Sequence, residues 1–164
     1  MRARVITAST RAAAGDYTDR SGPIVVGALR DLGFEVTDPI VVADGAPVGA
    51  ALAEAVAERF DVVITTGGTG LNPTDRTPEE TRPLLTAELP HLAAAIARYG
   101  ADHGVPTAVL SRGLAGVAGR TVIVNLPGSS GGARDGMAVL REVLPHAVSQ
   151  LRGGDHRPGS GAAG

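Results

Sequence analysis

Short apolar runs rich in Val, Ile and Thr alternate along the chain with stretches whose apolar residues recur every three or four positions. Arg4 to Ala8 reads as the first strand. Ser9 to Gly22 is polar and reads as a long loop, a length that in compact domains often carries function. Ser21-Gly22-Pro23 then opens a helix. Ile24, Val25, Ala28, Leu29 and Leu32 give it one apolar face, and Gly33 suits its end. Phe34 to Val42 reads as a second strand, in which Asp38-Pro39 implies an edge position or a bulge. Beyond the turn at 43–47, Leu52, Val56 and Phe60 mark a helix over 48–60.

Asp61 to Thr65 is the third predicted strand, and its unbroken apolar run suits a strand covered on both faces, as in a parallel sheet. A short helix over 78–85 and a longer one over 90–103 follow. Residues 105–120 are ambiguous, because Gly113, Gly116 and Gly119 suit either a hairpin or a closely packed loop. Thr121 to Asn125 reads as a strand, 126–132 as a glycine loop, and 133–151 as a helix with Met137, Leu140, Leu144 and Val148 on one face. This order predicts a three-layer α/β/α sandwich with a mostly parallel central sheet. A single domain is expected over residues 1–152. Residues 153–164, rich in Gly, Pro and Ser, read as a disordered tail.

Composition removes whole classes of function. The chain has 164 residues, enough for one domain with a core. Aromatic residues make up 2% and Trp is absent, so a stacking platform for single-stranded nucleic acid is not expected. The net charge of −2 gives no basic footprint for DNA or RNA. No membrane-spanning run and no signal-type segment stands out, and the expected location is the cytoplasm. With no Cys, thiolate catalysis, Cys-ligated zinc and disulfides are excluded. All 15 basic residues are Arg, so Schiff-base chemistry and a P-loop lysine are excluded too. An Ala-, Gly- and Arg-rich composition also accounts for the missing lysines without any functional reason.

The candidate chemistry sits after the predicted strands. Gly67-Gly68-Thr69-Gly70 has little side chain, so its backbone N–H groups can approach a phosphate; the same residues also make a plain tight turn. Asp44 and Asp75 each follow a strand. In a parallel sheet both reach one edge, where two carboxylates and a phosphate suit Mg²⁺, although each also suits an ordinary turn. Asn125-Leu126-Pro127-Gly128-Ser129 lies between a strand and a helix, either binding an anion or simply capping the helix. Arg11 and Arg20 are possible anion clamps or plain surface arginines. The histidines show no metal spacing, and no Gly-x-Ser-x-Gly elbow follows a strand.

In this order and spacing, Thr65-Thr66-Gly67-Gly68-Thr69-Gly70, Asp75, Thr77-Pro78-Glu79, Leu110-Ser111-Arg112 and Asn125-Leu126-Pro127-Gly128-Ser129 resemble the molybdopterin adenylyltransferase family, the Mog/MoaB proteins and the gephyrin G domain. Asp19-x-Ser21-Gly22-Pro23 and Asp44 match as well, and the likeness runs from about Arg4 to Leu151. The resemblance implies transfer of an adenylyl group from Mg-ATP to the terminal phosphate of molybdopterin, with release of pyrophosphate. It casts Asp44 and Asp75 as the catalytic pair and the Mg²⁺ holders. Gly67, Gly68, Thr69, Gly70, Asn125, Leu126, Pro127, Gly128 and Ser129 would form the nucleotide and phosphate site. Ser9, Thr10, Ser21, Thr77, Glu79, Ser111 and Arg112 would make the pterin and remaining contacts. It also implies a homotrimer and hand-over to a molybdenum-insertion protein. One departure stands out: many members carry Ser-Asp after the first strand, where this chain has Ser9-Thr10.

Two other readings compete. One is a non-catalytic molybdopterin-binding or scaffold protein of the same family. The other is an unrelated nucleotide-binding regulatory domain or sugar-phosphate enzyme on a doubly wound sheet, which does not account for the Asp75, Ser111 and Asn125 motifs together.

Overall fold

Strand β1 (Arg2–Ala8) is the pivot of the sheet. The structure, a computed structural model, describes residues 1–153; all but the first residue of the expected tail lies outside the described residues. Chain order continues with α1 (Thr10–Ala13), α2 (Ser21–Asp31), β2 (Glu35–Val36), β3 (Ile40–Val42), α3 (Ala46–Ala57) and β4 (Val62–Thr66). Then come α4 (Thr77–Thr81), β5 (Ala87–Glu88), α5 (Pro90–Asp102), β6 (Ala115–Ala118), β7 (Thr121–Leu126) and α6 (Ser130–Leu151).

The sheet runs β2-β1-β4-β7-β6-β5, and β3 also pairs with β1. The pairs of β1 with β2, β3 and β4, and of β4 with β7, are parallel; β6 runs antiparallel to both β5 and β7. The three-layer, mostly parallel architecture expected from the sequence is thus present. The chain steps from β1 out to the edge and then returns to β4 on the other side of β1. That reversal leaves a crevice outside the C-terminal ends of β1 and β4, the usual ligand position in open α/β sheets.

Both faces of the central strands are buried, which explains their unbroken apolar sequence. Ala3, Val5, Val62, Ile64, Val122 and Val124 face α2, α5 and α6, where they meet Val25, Leu29, Met137, Leu140 and Leu144. Ile6, Val63 and Ile123 point the other way, onto Val48, Leu52 and Phe60.

Two expectations are corrected and one ambiguity is resolved. The polar stretch after β1 contains a helical turn, α1, because the Ser9 side chain accepts the Ala12 N–H and caps it. The second strand is two short strands, β2 and β3, separated around Asp38-Pro39 and both paired with β1. The ambiguous glycine-rich stretch forms a 3₁₀ turn (Pro106–Leu110) and then the β6–β7 hairpin. Gly116 fits there because a Cβ would lie 2.6 Å from the Ala87 carbonyl of the neighbouring strand.

Candidate active site

Register decides what meets at the sheet edge. Thr7 pairs with Thr66, and Thr66 with Leu126, so β1, β4 and β7 end at one level. Ala8 pairs with Val42, which places the residues after β3 beside those after β1. The Thr10 N–H and hydroxyl consequently donate to Asp44 Oδ2 at 3.0 and 2.7 Å, and the Asp44 N–H donates back to the Thr10 hydroxyl at 3.2 Å. The residue that departs from the family pattern therefore orients Asp44 and leaves its Oδ1 free of that interaction.

The glycine loop fills the crevice. Gly67 and Gly68 hold φ of +90° and +64°, the left-handed region that glycine tolerates. The Gly67 N–H donates to the Leu126 carbonyl at 3.0 Å, and a Cβ at Gly67 would strike the Ala8 carbonyl. Gly128 packs on Gly67 from the β7 side, where a Cβ would stand 3.0 Å from the Gly67 Cα. The two carboxylates abut opposite ends of this loop. A Cβ on Gly68 would lie 3.2 Å from Asp44 Oδ1, and one on Gly70 would lie 2.7 Å from Asp75 Oδ2. The Asp75 carboxylate makes no hydrogen bond among the described residues, while its N–H closes the turn onto the Asn72 carbonyl at 2.9 Å.

Arg112 works beneath the loop. Its Nε donates to the Gly70 carbonyl at 2.8 Å, one terminal nitrogen donates to the Asp75 carbonyl at 2.6 Å, and the other pairs with Glu79. Its own N–H donates to the Thr69 carbonyl at 2.9 Å. One guanidinium thus ties together the loop, the Asp75 turn and α4, in the fork geometry a lysine does not offer. The hydrogen bond from Arg112 holds the Glu79 carboxyl below its ordinary range. Thr77 is fully buried at the start of α4. Its N–H donates to the Gly68 carbonyl at 3.0 Å, and its hydroxyl, packed on Gly68, has no partner among the described residues.

Asn125 is committed internally. Its Oδ1 accepts the Leu114 N–H at 3.0 Å, and its Nδ2 donates to the hydroxyls of Thr65 and Thr81, each at 3.0 Å. Both amide hydrogens are used, so its side chain sets the shape of the site and offers a ligand no donor. Ser129 caps α6 through the Gly132 N–H at 3.0 Å, and the Ser111 hydroxyl accepts the Gly113 N–H at 3.3 Å. Ser21 joins a second network, donating to Thr66 Oγ1 at 2.9 Å. Asp19 organises that network, accepting from the Thr7 hydroxyl at 2.7 Å and from the N–H groups of Ser21 and Gly22 at 3.1 and 3.0 Å. Asp19 was visible in sequence only within a motif, with nothing to signal its role. A pocket of about 100 Å³ opens between this network, Ser9, Arg20 and Gly128. The Arg11 guanidinium lies over the Tyr17 ring, 5.5 Å from its centroid.

A larger cavity of about 400 Å³ starts at Thr69, Gly70 and Leu71 and runs between α5, the 3₁₀ turn and the first turns of α6. Ile96, Ala97, Ala108, Leu110 and Pro127 make its walls largely apolar, and Asp135 lines it from α6. Sequence reasoning passed over Asp135, since an acidic residue early in a helix is unremarkable. Asp44 and Asp75 are not part of this lining.

Fold and site together define an α/β domain with a glycine loop flanked by two carboxylates at the C-terminal edge of a mostly parallel sheet. The chain matches, over residues 4–146, the family described as "probable molybdopterin binding domain", and it belongs to that family of molybdenum-cofactor biosynthesis proteins. It is 37% identical over 152 residues to the molybdopterin adenylyltransferase of Pyrococcus furiosus, covering 90% of this chain and 89% of that one. Over 155 residues it is 38% identical to the molybdenum cofactor biosynthesis bifunctional protein of Synechococcus elongatus, of which it spans 48% while 94% of this chain is covered. The Mog protein of Mycobacterium ulcerans superposes with a TM-score of 0.86 at 54% identity, over 92% of this chain and 98% of that one. Among the described residues no helix is long and apolar enough to cross a membrane.

Proposed function

We propose that this protein is a molybdopterin adenylyltransferase that uses Mg-ATP. The observation that carries the reading is the placement of Asp44 beside Gly68 and Asp75 beside Gly70 of one glycine loop, in the crevice where the sheet order reverses. Membership of the molybdopterin-binding family and the relatives named adenylyltransferases supply the substrate class.

The residues present fit a hard dication. Asp44 Oδ1 and the Asp75 carboxylate have no hydrogen-bond partner among the described residues. Among those residues, too, no cluster of three or more His, Cys, Asp or Glu could cage a metal unaided. Mg²⁺ favours such a site, because it takes one or two carboxylates and completes its shell with phosphate oxygens and water. Glu79 and Asp75 also make the neighbourhood acidic, and Arg112 is already engaged, so an anionic triphosphate needs an added cation there. Mg²⁺, held by Asp75 and Asp44, would supply charge neutralisation for the departing pyrophosphate.

In the reaction, an oxygen of the molybdopterin phosphate bonds to the α-phosphorus of ATP as the bond to the β-phosphate oxygen breaks. The products are adenylylated molybdopterin and pyrophosphate. Such transfers depend on positioning and charge stabilisation more than on covalent help, which fits a chain without Lys or Cys. Backbone N–H groups of the glycine loop would bind non-bridging oxygens, Arg112 would hold that loop in place, and Gly128 lets the second loop approach it. The assembly expected with this activity is a homotrimer that passes its product to a molybdenum-insertion protein.

The test is pyrophosphate release from ATP with Mg²⁺ and molybdopterin. Asp75→Asn is expected to keep its fold and lose roughly 10²–10³ in rate, as when one charge-stabilising group is removed from such a site. Unchanged turnover would remove Asp75 from the mechanism. Molybdopterin binding without pyrophosphate release in the wild type would favour the non-catalytic pterin-binding or scaffold reading.

A further inference from the structure

We infer that Thr10 makes Asp44 a one-oxygen ligand and thereby sets the preference of the site for Mg²⁺ over Ca²⁺. This rests on the Mg-ATP reading above and adds what chooses the ion. Both groups that Thr10 can donate, its N–H and its hydroxyl, go to the same oxygen, Asp44 Oδ2, at 3.0 and 2.7 Å. The hydroxyl also accepts the Asp44 N–H at 3.2 Å, which closes a ring between the two residues. A carboxylate oxygen has two lone pairs, so Thr10 alone fills Oδ2. Oδ1 is left, beside Gly68 of the glycine loop. Thr10 has no donor to spare for a ligand and acts on one only through Asp44. The turn α1 holds this grip in place. The Ser9 N–H donates to the Val42 carbonyl at 2.9 Å, and the Ser9 hydroxyl accepts the Ala12 N–H at 3.2 Å. None of the α1 residues is buried, so packing does not account for the turn.

The restraint matters because the two dications use carboxylates differently. Ca²⁺ gathers many oxygens in a flexible shell and readily takes both oxygens of one carboxylate. Mg²⁺ is smaller, demands near-octahedral geometry and keeps several of its waters, so a single well-aimed oxygen serves it. Turning Asp44 to present both oxygens would break two hydrogen bonds to Thr10. With Oδ2 tied, Asp44 offers Oδ1 alone and in a fixed direction, which suits Mg²⁺ and withholds from Ca²⁺ the second oxygen. The Asp75 carboxylate has no hydrogen-bond partner among the described residues and carries no such restraint. Of the two acids, Asp44 is therefore the one that discriminates.

The test uses the whole chain with a non-hydrolysable ATP analogue and Mn²⁺, whose free-ion EPR signal falls on binding. Mg²⁺ or Ca²⁺ is then titrated in to displace the Mn²⁺, and the ratio of the two midpoints is compared with that for the analogue alone. Wild type should favour Mg²⁺ beyond the analogue's own preference. Thr10→Val keeps the shape and the N–H but loses the hydroxyl. It should weaken Mg²⁺ about 10-fold, the low end for a group that orients a metal ligand, and Ca²⁺ by less, so that the ratio falls. Thr10→Ser should keep the wild-type ratio. No binding of Mn²⁺ beyond the analogue, a wild-type ratio equal to the analogue's, an unchanged ratio in Thr10→Val, or a ratio in Thr10→Ser as low as in Thr10→Val would each overturn the inference. Thr10 is exposed, and if Thr10→Val does not fold, Thr10→Ala takes its place with the same expected ratio. Pyrophosphate release with a ratio that Thr10→Val leaves unmoved sinks the inference and leaves adenylyl transfer standing. A ratio that depends on Thr10 without pyrophosphate release does the reverse.

Discussion

Gly68 shows how narrowly the site is specified at the level of one residue. Its φ of +64° disfavours any side chain, and the space a Cβ would need is taken by the Thr77 hydroxyl and approached by Asp44. Gly68→Ala is therefore expected to lose about 1–3 kcal/mol in a urea melt, from backbone strain and the clash together. Pyrophosphate release should fall with it. Gly27→Ala is the control. Gly27 lies in α2 with open space where a Cβ would project, and alanine there should stabilise by about 0.5–1 kcal/mol. The Gly67-to-Asp75 stretch was legible in sequence because loop and carboxylate are contiguous. The Asp44–Thr10 pair was not, since it exists only through the register of β3 on β1.

At the level of elements, Asn125 is the joint. It ties the end of β7 to β4 through Thr65, to α4 through Thr81 and to the β6 approach through Leu114. Asn125→Ala leaves two buried hydroxyls and an N–H without their partner and is expected to cost about 2–3 kcal/mol, read from urea melts. An effect of a few tenths would mean that water replaces the amide. Sequence pattern located β1, β4, β7 and the helices that cover them, because each is a long apolar run or a clear stripe. It missed α1, whose four residues bury nothing, and it fused β2 with β3, which are too short for period-two alternation to separate. The role of Asn125 was hidden for another reason: its three partners come from three distant stretches of chain. Asp135 carried no signal at all until the cavity around it was known.

For the whole molecule, the Arg112–Glu79 pair ties site integrity to pH. Glu79 titrates below its ordinary value of 4.5 in the folded protein. A lowered carboxyl pKa contributes stability that is complete above the unfolded value and lost as pH falls through the folded one. The Tm difference between wild type and Glu79→Gln should thus be flat from neutral pH to about 5 and vanish in more acidic buffer, reading the same 4.5 as its upper edge. It should be small, because an exposed pair contributes at most about 1 kcal/mol. A difference that grows with acidity would contradict the pairing. The parallel register carries a further consequence, for how the chain reaches this shape. Thr7 and Thr66 are 59 positions apart, and Thr65 and Asn125 are 60 apart. Every central strand must therefore wait for a distant partner, and such non-local pairing slows folding. During synthesis, β4 is an apolar strand with one edge bare until β7 emerges, the condition under which nascent chains stick to one another. A fragment ending before residue 121 holds the ends of β1 and β4 that bound the crevice but lacks β7 and the Gly128 that packs on Gly67, so the crevice is completed and the bare edge of β4 covered in the same late step.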